Sequence, residues 1–286
     1  MPLSMPLPTL LIDGLAFAEA PRWHAGELWF SDFFLQQVLR IDAQGRRHVV
    51  ATVPMQPSGL GWLPDGRLLV VSMTDRALMR LDGDVLVKVA DLAALATGHC
   101  NDMVVDARGR AYVGNFGFDF FAQPLQRRAA ALVLVTPGGD ARIASDGLEF
   151  PNGMVITPDG GTLIVAETFG RRLTAFRIAA DGTLHDRRVW AELGNVGPDG
   201  ICLDAEGAVW AASPRSNEFV RVREGGEVTE RIPTDRQAIA CTLGGADGRR
   251  LFMISGRVRA AEPSLADRTS CIRWLDVAVS AAPVPR

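Results

Sequence analysis

The feature that most constrains this chain is a turn written five times over. It reads Pro64-Asp65-Gly66, Asp106-Ala107-Arg108-Gly109, Pro158-Asp159-Gly160, Asp204-Ala205-Glu206-Gly207 and Ala246-Asp247-Gly248, with His24-Ala25-Gly26 as a shorter sixth. The glycines fall at 26, 66, 109, 160, 207 and 248, so the intervals are 40, 43, 51, 47 and 41 residues. Periods of about 40–50 residues belong to propellers or to helical arrays. The content of a repeat separates the two. In the fourth, Gly153–Thr157 reads as a strand, and Pro158 and Gly160 then supply turn chemistry. Thr162–Ala166 is β-branched and apolar, Arg172–Ile178 alternates polar and apolar, and Arg187–Ala191 is a fourth strand. Blade two follows the same plan with Gly59–Leu63, Arg67–Ser72, Ala77–Leu81 and Val85–Ala90. Four strands per repeat make a propeller blade. No sustained stretch carries the i, i+3, i+4 apolar spacing of a helical solenoid.

Six repeats predict an all-β fold, a six-bladed propeller with four-stranded blades. The sixth repeat has Leu251–Ile254 and Cys271–Val277 and then runs out at Ala281-Ala282-Pro283. The spare strand Thr9–Asp13 stands too far ahead of the first turn to belong to blade one. It is expected to complete blade six and close the ring, since an open ring leaves an exposed edge. Residues 1–286 then form one domain. The insert from Phe116 to Ala130 is expected to lie over a mouth of the channel. Its Phe116-Gly117-Phe118-Asp119-Phe120-Phe121 run is rich in rings for a chain with 7% aromatics.

Composition removes several function classes. Thirty Lys and Arg against 33 Asp and Glu leave a net charge of −3, with no electrostatic footprint for nucleic acid. Lys88 is the only lysine, so a phosphate-binding loop of the G-x-x-x-x-G-K-[ST] type is absent. Neither G-x-S-x-G nor H-E-x-x-H occurs. The longest apolar run, Ala129 to Val135, is far short of the roughly 20 residues of a membrane span. The stretch Met1-Pro2-Leu3-Ser4-Met5-Pro6 has no basic region of a secretory signal. Cys100, Cys202, Cys241 and Cys271 form no C-x-x-C pair, which reads as buried reduced thiols in a cytoplasmic protein. His24, His48 and His185 lie in or beside polar turns and read as solvated.

The repeat register points at a site. Inner strands surround the channel, so equivalent positions converge near one axis. Eight residues before each turn glycine stand Ser58, Asn101, Asn152, Asp199 and Ala240; seven before Gly26 stands Glu19. Polar groups that open otherwise apolar strands need partners, because burying them unpaired is costly. Two carboxylates and two carboxamides form an oxygen-only ligand set. Such a set suits one hard divalent cation, Ca²⁺ first, with Mn²⁺, Mg²⁺ or Zn²⁺ as alternatives.

Four segments carry a family resemblance: Glu19-Ala20-Pro21-Arg22-Trp23, Asn101 to Asp106, Pro151-Asn152-Gly153, and Pro198-Asp199-Gly200 to Asp204. From about Leu15 to Gly256 the chain resembles the senescence marker protein / gluconolactonase / luciferin-regenerating enzyme family. The resemblance implies that Glu19, Asn152 and Asp199 hold the cation and that Asp199 doubles as catalytic base. It makes Asn101 a contact of substrate or metal. His99 stands where sugar lactonases carry an arginine, and Asp119 takes the place of a further sugar contact. The expected activity is opening of a lactone, with a small lactone or ester as partner. The replacement of arginine by His99 and the Phe116–Phe121 run shift the expected substrate toward less hydroxylated or more hydrophobic lactones. Phosphotriester or fluorophosphate hydrolysis on the same fold, and a non-catalytic binding propeller, are the alternatives.

Overall fold

The structure is a computed structural model and describes residues 7–120, 122 and 124–283. Residues 1–6, read above for a targeting signal, and Phe121 of the aromatic run lie outside the described residues. The chain forms six antiparallel sheets of four strands each. The repeat turns sit where the sequence puts them, and each turn glycine adopts a positive φ, from 68° at Gly160 to 85° at Gly66. That conformation is nearly free for glycine and strained for other residues. Blade four comprises Pro151–Ile156, Thr162–Glu167, Arg172–Ile178 and Leu184–Glu192. Blade two comprises Pro57–Trp62, Leu68–Ser72, Ala77–Asp82 and Val85–Asp91. Both match the expected strands to within a few residues.

The first strands of successive blades touch one another around a closed ring: Ala18–His24, Pro57–Trp62, Cys100–Val105, Pro151–Ile156, Ile201–Leu203 and Gln237–Gly244. These are the inner strands. Close approach there demands small residues. A Cβ on Gly153 would meet Ile201 N at 2.5 Å, and one on Gly200 would meet the Ala240 Cβ at 2.4 Å. Between blades, apolar side chains of facing sheets interlock. One such cluster joins blades four and five through Trp190, Ile201, Val209 and Val220. Burial of this kind stabilises by about 25 cal/mol per Å² of apolar surface removed from water.

Blade six is composite. Gln237–Gly244, Arg250–Gly256 and Ser270–Asp276 come from the end of the chain, and Thr9–Leu15 adds the outermost strand, antiparallel to Ser270–Asp276. The expected ring closure by the N-terminal strand is therefore what the sheet order has. One element departs from the reading. A seven-residue helix, Ala261–Asp267, links the second and third strands of blade six. It is too short to show a helical period in sequence. All four cysteines are free and buried, with Cys202 Sγ and Cys241 Sγ 3.9 Å apart across blades five and six. Among the described residues no helix is long and apolar enough to cross a membrane.

Candidate active site

The register set lies at the channel. Glu19, Asn101 and Asn152 stand on the inner strands of blades one, three and four, and Asp199 just ahead of that of blade five. All four line one cavity of about 340 Å³. Ser58 and Ala240, in the same register, are buried but are not among its described lining residues. Local backbone fixes each group. Ala20 adopts φ 47°, which turns its N–H onto Glu19 Oε2 at 2.6 Å. Left-handed backbone at a non-glycine residue is uncommon and concentrates at functional sites. Asp199 donates its N–H to Ala212 O at 2.8 Å and accepts from Gly153 N at 3.2 Å through its carbonyl. Asn101 Nδ2 donates to Pro151 O at 3.3 Å, and Asn152 Nδ2 to Thr168 Oγ1 at 3.2 Å. Each amide nitrogen spends one of its two hydrogens on these bonds, and the carboxamide oxygens remain available as ligands.

The electrostatics are those of a site short of positive charge. Burial, followed by the negative charge of Asp199, pushes the Glu19 carboxyl well above the usual range. Burial, followed by the charge of Asp102, does the same to Asp199, against the pull of the Asn152 amide beside it. Asp199 Oδ1 is buried with no hydrogen-bond partner among the described residues. A buried carboxylate oxygen with nothing to bond is costly and needs an explanation. Among the described residues no cluster of three or more His, Cys, Asp or Glu is arranged to hold a metal. The donor set is instead two carboxylates with two carboxamides, all oxygen. An orphaned carboxylate oxygen, a repelling acid pair and oxygen-only donors together fit a hard divalent cation.

Behind this layer sits a pair that the sequence reading did not single out. Arg22 Nη2 donates to Asp102 Oδ1 at 2.6 Å and to Met103 O at 2.8 Å, and its Nε to Leu60 O at 3.2 Å. It ties blades one, two and three together beneath the acids. Asp102 also accepts from the Met103 N–H at 2.8 Å. One signal for it was available. Glycine follows the register residue at 59, 153 and 200, whereas blade three has Asp102 there.

The walls above the acids are aromatic. Phe17, Phe33 and Phe34 of blade one line one side, with Phe17 and Phe33 stacked at 5.1 Å. Phe116, Phe120, Phe150 and Phe169 line the other, with Phe116 and Phe150 stacked at 4.8 Å. The Phe116 insert thus does lie at a channel mouth. The cavity does not gather every expected site residue. His99 is half-buried beside Phe116, ring centroids 6.2 Å apart, and is not among the described lining residues. Burial lowers its basicity, and the nearby charge of Asp119 opposes that. Asp119 is exposed. A second cavity of about 820 Å³ opens among the far ends of the inner strands, lined by apolar residues such as Leu60, Val105, Ile156 and Leu203. His24 lines it and is not simply solvated, as its turn suggested. Its ring lies flat on Trp62 at 3.9 Å, because the strand carries it against the next blade. His48 and His185 do lie toward solvent, beside Asp42 and Asp186.

Comparison with known proteins places the chain. The pattern described as the SMP-30/Gluconolactonase/LRE-like region matches residues 17–257. The chain belongs to this family. A 6-deoxy-6-sulfogluconolactonase of Pseudomonas putida is 25% identical over 257 residues, which is 87% of this chain and 86% of that one. The calcium-binding protein regucalcin of Agrobacterium tumefaciens superposes with a TM-score of 0.80 at 21% identity, over 99% of this chain and 100% of that chain. A gluconolactonase of Xanthomonas campestris superposes with a TM-score of 0.76 at 25% identity, over 96% of each chain. The chain's relatives include proteins named as lactonases, and these support a hydrolase here.

Proposed function

We propose that this propeller, residues 1–286 acting as one domain, is a metal-dependent lactonase. Its substrate is a small lactone with an apolar body. Glu19, Asn152 and Asp199 hold one divalent cation, Ca²⁺ before Mn²⁺, Mg²⁺ or Zn²⁺. When bound there, such a cation would supply Lewis-acid polarisation of the carbonyl oxygen. The observation that carries this reading is Asp199 Oδ1, buried and without a partner among the described residues, whose charge also raises the buried Glu19 carboxyl.

The protein groups perform the proton transfers. Asp199 takes a proton from the attacking water as oxygen adds to the carbonyl carbon. The ring C–O bond then breaks, and the same proton passes to the departing ring oxygen. The product is a hydroxy acid, and atoms balance with one water consumed. Asn101, on the wall of the cavity, orients the substrate through its carboxamide. His99 holds the segment that carries Phe116, whose N–H bonds His99 O at 2.9 Å, and the exposed Asp119 on that segment meets substrate from the mouth. The phenylalanine walls favour less hydroxylated rings than gluconolactone, since sugar hydroxyls would lose water without gaining partners there.

The deciding experiment is a panel of lactones and esters assayed with and without chelator, beside metal analysis of the purified protein. We expect one divalent ion per chain, ring opening that chelator abolishes, and δ-gluconolactone outside the best substrates by kcat/KM. No ring opening by the metal-loaded protein overturns the lactonase reading. Activity undiminished after metal removal overturns the cation.

A further inference from the structure

Three arginines share the cavity with the phenylalanines. Arg127 lies on the blade-three insert, Arg171 in the turn after the second strand of blade four, and Arg215 in the matching turn of blade five. They sit on consecutive blades, on one side of one mouth. All three are exposed. Among the described residues none forms an ion pair. The Arg127 guanidinium lies 4.0 Å from the centroid of the Phe169 ring, a cation–π contact that holds it over the aromatic wall. Arg215 Nε donates to Asn195 Oδ1 at 3.1 Å, a neutral acceptor that orients the guanidinium without cancelling its charge. Among the described lining residues the acids are Glu19 and Asp199.

The cavity is therefore polarised along its depth, with acids below, rings in the middle and cationic forks at the lip. A neutral sugar lactone uses neither upper layer. We infer that the substrate is a lactone whose apolar, preferably aromatic, body carries an anionic group, a carboxylate, that the Arg127, Arg171 and Arg215 guanidinium groups receive at the mouth. The inference rests on the lactonase reading and specifies its substrate class. Guanidinium suits this task because its planar fork meets a carboxylate bidentately. Single exposed ion pairs are weak, which is why three converging groups matter. The arrangement also sets orientation. An anion caught at the lip places the ring end at the floor, beside Glu19, Asn152 and Asp199.

The test uses two matched substrates, a δ-valerolactone bearing a para-carboxyphenyl group and its para-carbamoylphenyl counterpart. For the metal-loaded wild type at low salt, kcat/KM for the carboxylate should exceed that for the carboxamide at least tenfold, equivalent to about 1.4 kcal/mol. The triple change Arg127→Gln, Arg171→Gln, Arg215→Gln should bring the ratio to about one, and the single change Arg171→Gln should lower it part-way. Added salt should shrink the wild-type ratio, because the forks are solvent-exposed. A wild-type ratio near one, or a ratio that survives the triple change, overturns the inference. If neither lactone opens, the lactonase reading fails instead. The unreactive tetrahydropyran analogues, titrated by calorimetry, then decide the anion site: equal affinity for carboxylate and carboxamide overturns it, and tenfold tighter carboxylate binding that the triple change removes upholds it.

Discussion

Asp199→Asn should make the metal-free protein more stable while destroying its catalysis. Asp199 is 8% exposed, its Oδ1 has no hydrogen-bond partner among the described residues, and its charge adds to burial in raising the Glu19 carboxyl. A buried unsatisfied polar group costs about 1–3 kcal/mol, and more when charged. An amide at 199 removes the charge and can donate a hydrogen bond to the Glu19 carboxyl instead of repelling it. We therefore expect a gain of about 1–3 kcal/mol in chelator. Unfolding entropy of about 2.1 cal/mol/K per residue over 286 residues makes that a rise in Tm of about 2–5 °C. Metal reverses the order. A ligand at 100 times its Kd stabilises the wild type by about 2.7 kcal/mol, and the variant binds metal more weakly. The two melting curves, followed by circular dichroism in EDTA and across a Ca²⁺ titration, should cross. If the variant in EDTA melts at or below the wild type, the carboxylates are not under mutual stress, and the cation cradle is wrong.

Three further outcomes follow from the same geometry. At saturating metal, Asp199→Asn should keep a kcat deficit of about 10²–10⁴, the usual range for a lost general base, whereas Glu19→Gln should recover most of its rate as metal is added. Gly153→Ala puts a Cβ 2.5 Å from Ile201 N and 2.7 Å from Asp199 O, both backbone atoms. Overpacking of this kind costs about 1–3 kcal/mol; urea unfolding should show it, and calcium titration should show weakened binding as Asp199 is displaced. Glu167 is buried, and burial alone would raise its carboxyl; Arg172, Thr174 and the Glu149 N–H outweigh that and hold it below the usual range. Its stabilisation is present above the unfolded value of about 4.3 and lost as pH falls through the lower folded one. Glu167→Gln should cost about 1.5–3 kcal/mol at pH 7 and flatten the acid limb of a stability–pH curve measured in urea.

Much of this was legible because a hairpin has fixed arithmetic. Counting back from each turn glycine lands on one level of the channel, so Glu19, Asn101, Asn152 and Asp199 could be brought together before any coordinates. The same count cannot tell a side chain that reaches the cavity from one that does not, hence Ser58 and Ala240. Contacts between blades were beyond it. Arg22 and Asp102 are 80 residues apart and meet only because blades one and three both approach the axis. The walls were half legible: the Phe116 run announced itself, but Phe17, the Phe33-Phe34 pair, Phe150 and Phe169 are scattered at loop positions whose direction no period encodes. His99 and Asp119 sit near the expected place in the chain, yet Phe116 stands beside His99 and carries the wall there.

The composite sixth blade also dictates an order of events in synthesis. Of the described strands, Thr9–Leu15 leaves the ribosome first and its partner Ser270–Asp276 last. Through the whole interval the first strand has no mate, and the inner strand Ala18–His24 lacks its neighbour Gln237–Gly244 on one side. Individual blades can form as they emerge, but the acids at positions 19 and 199 cannot be fixed about a common axis until the final strand is free. The nascent chain therefore travels as an open arc with two unprotected ends, the state most prone to joining a neighbour edge to edge. Slowing translation cannot shorten that exposure. Moving the chain break can: a permuted gene that starts at the blade-one strand Ala18–His24, and joins Asp276 to Thr9 by a linker, would deliver all four strands of blade six consecutively.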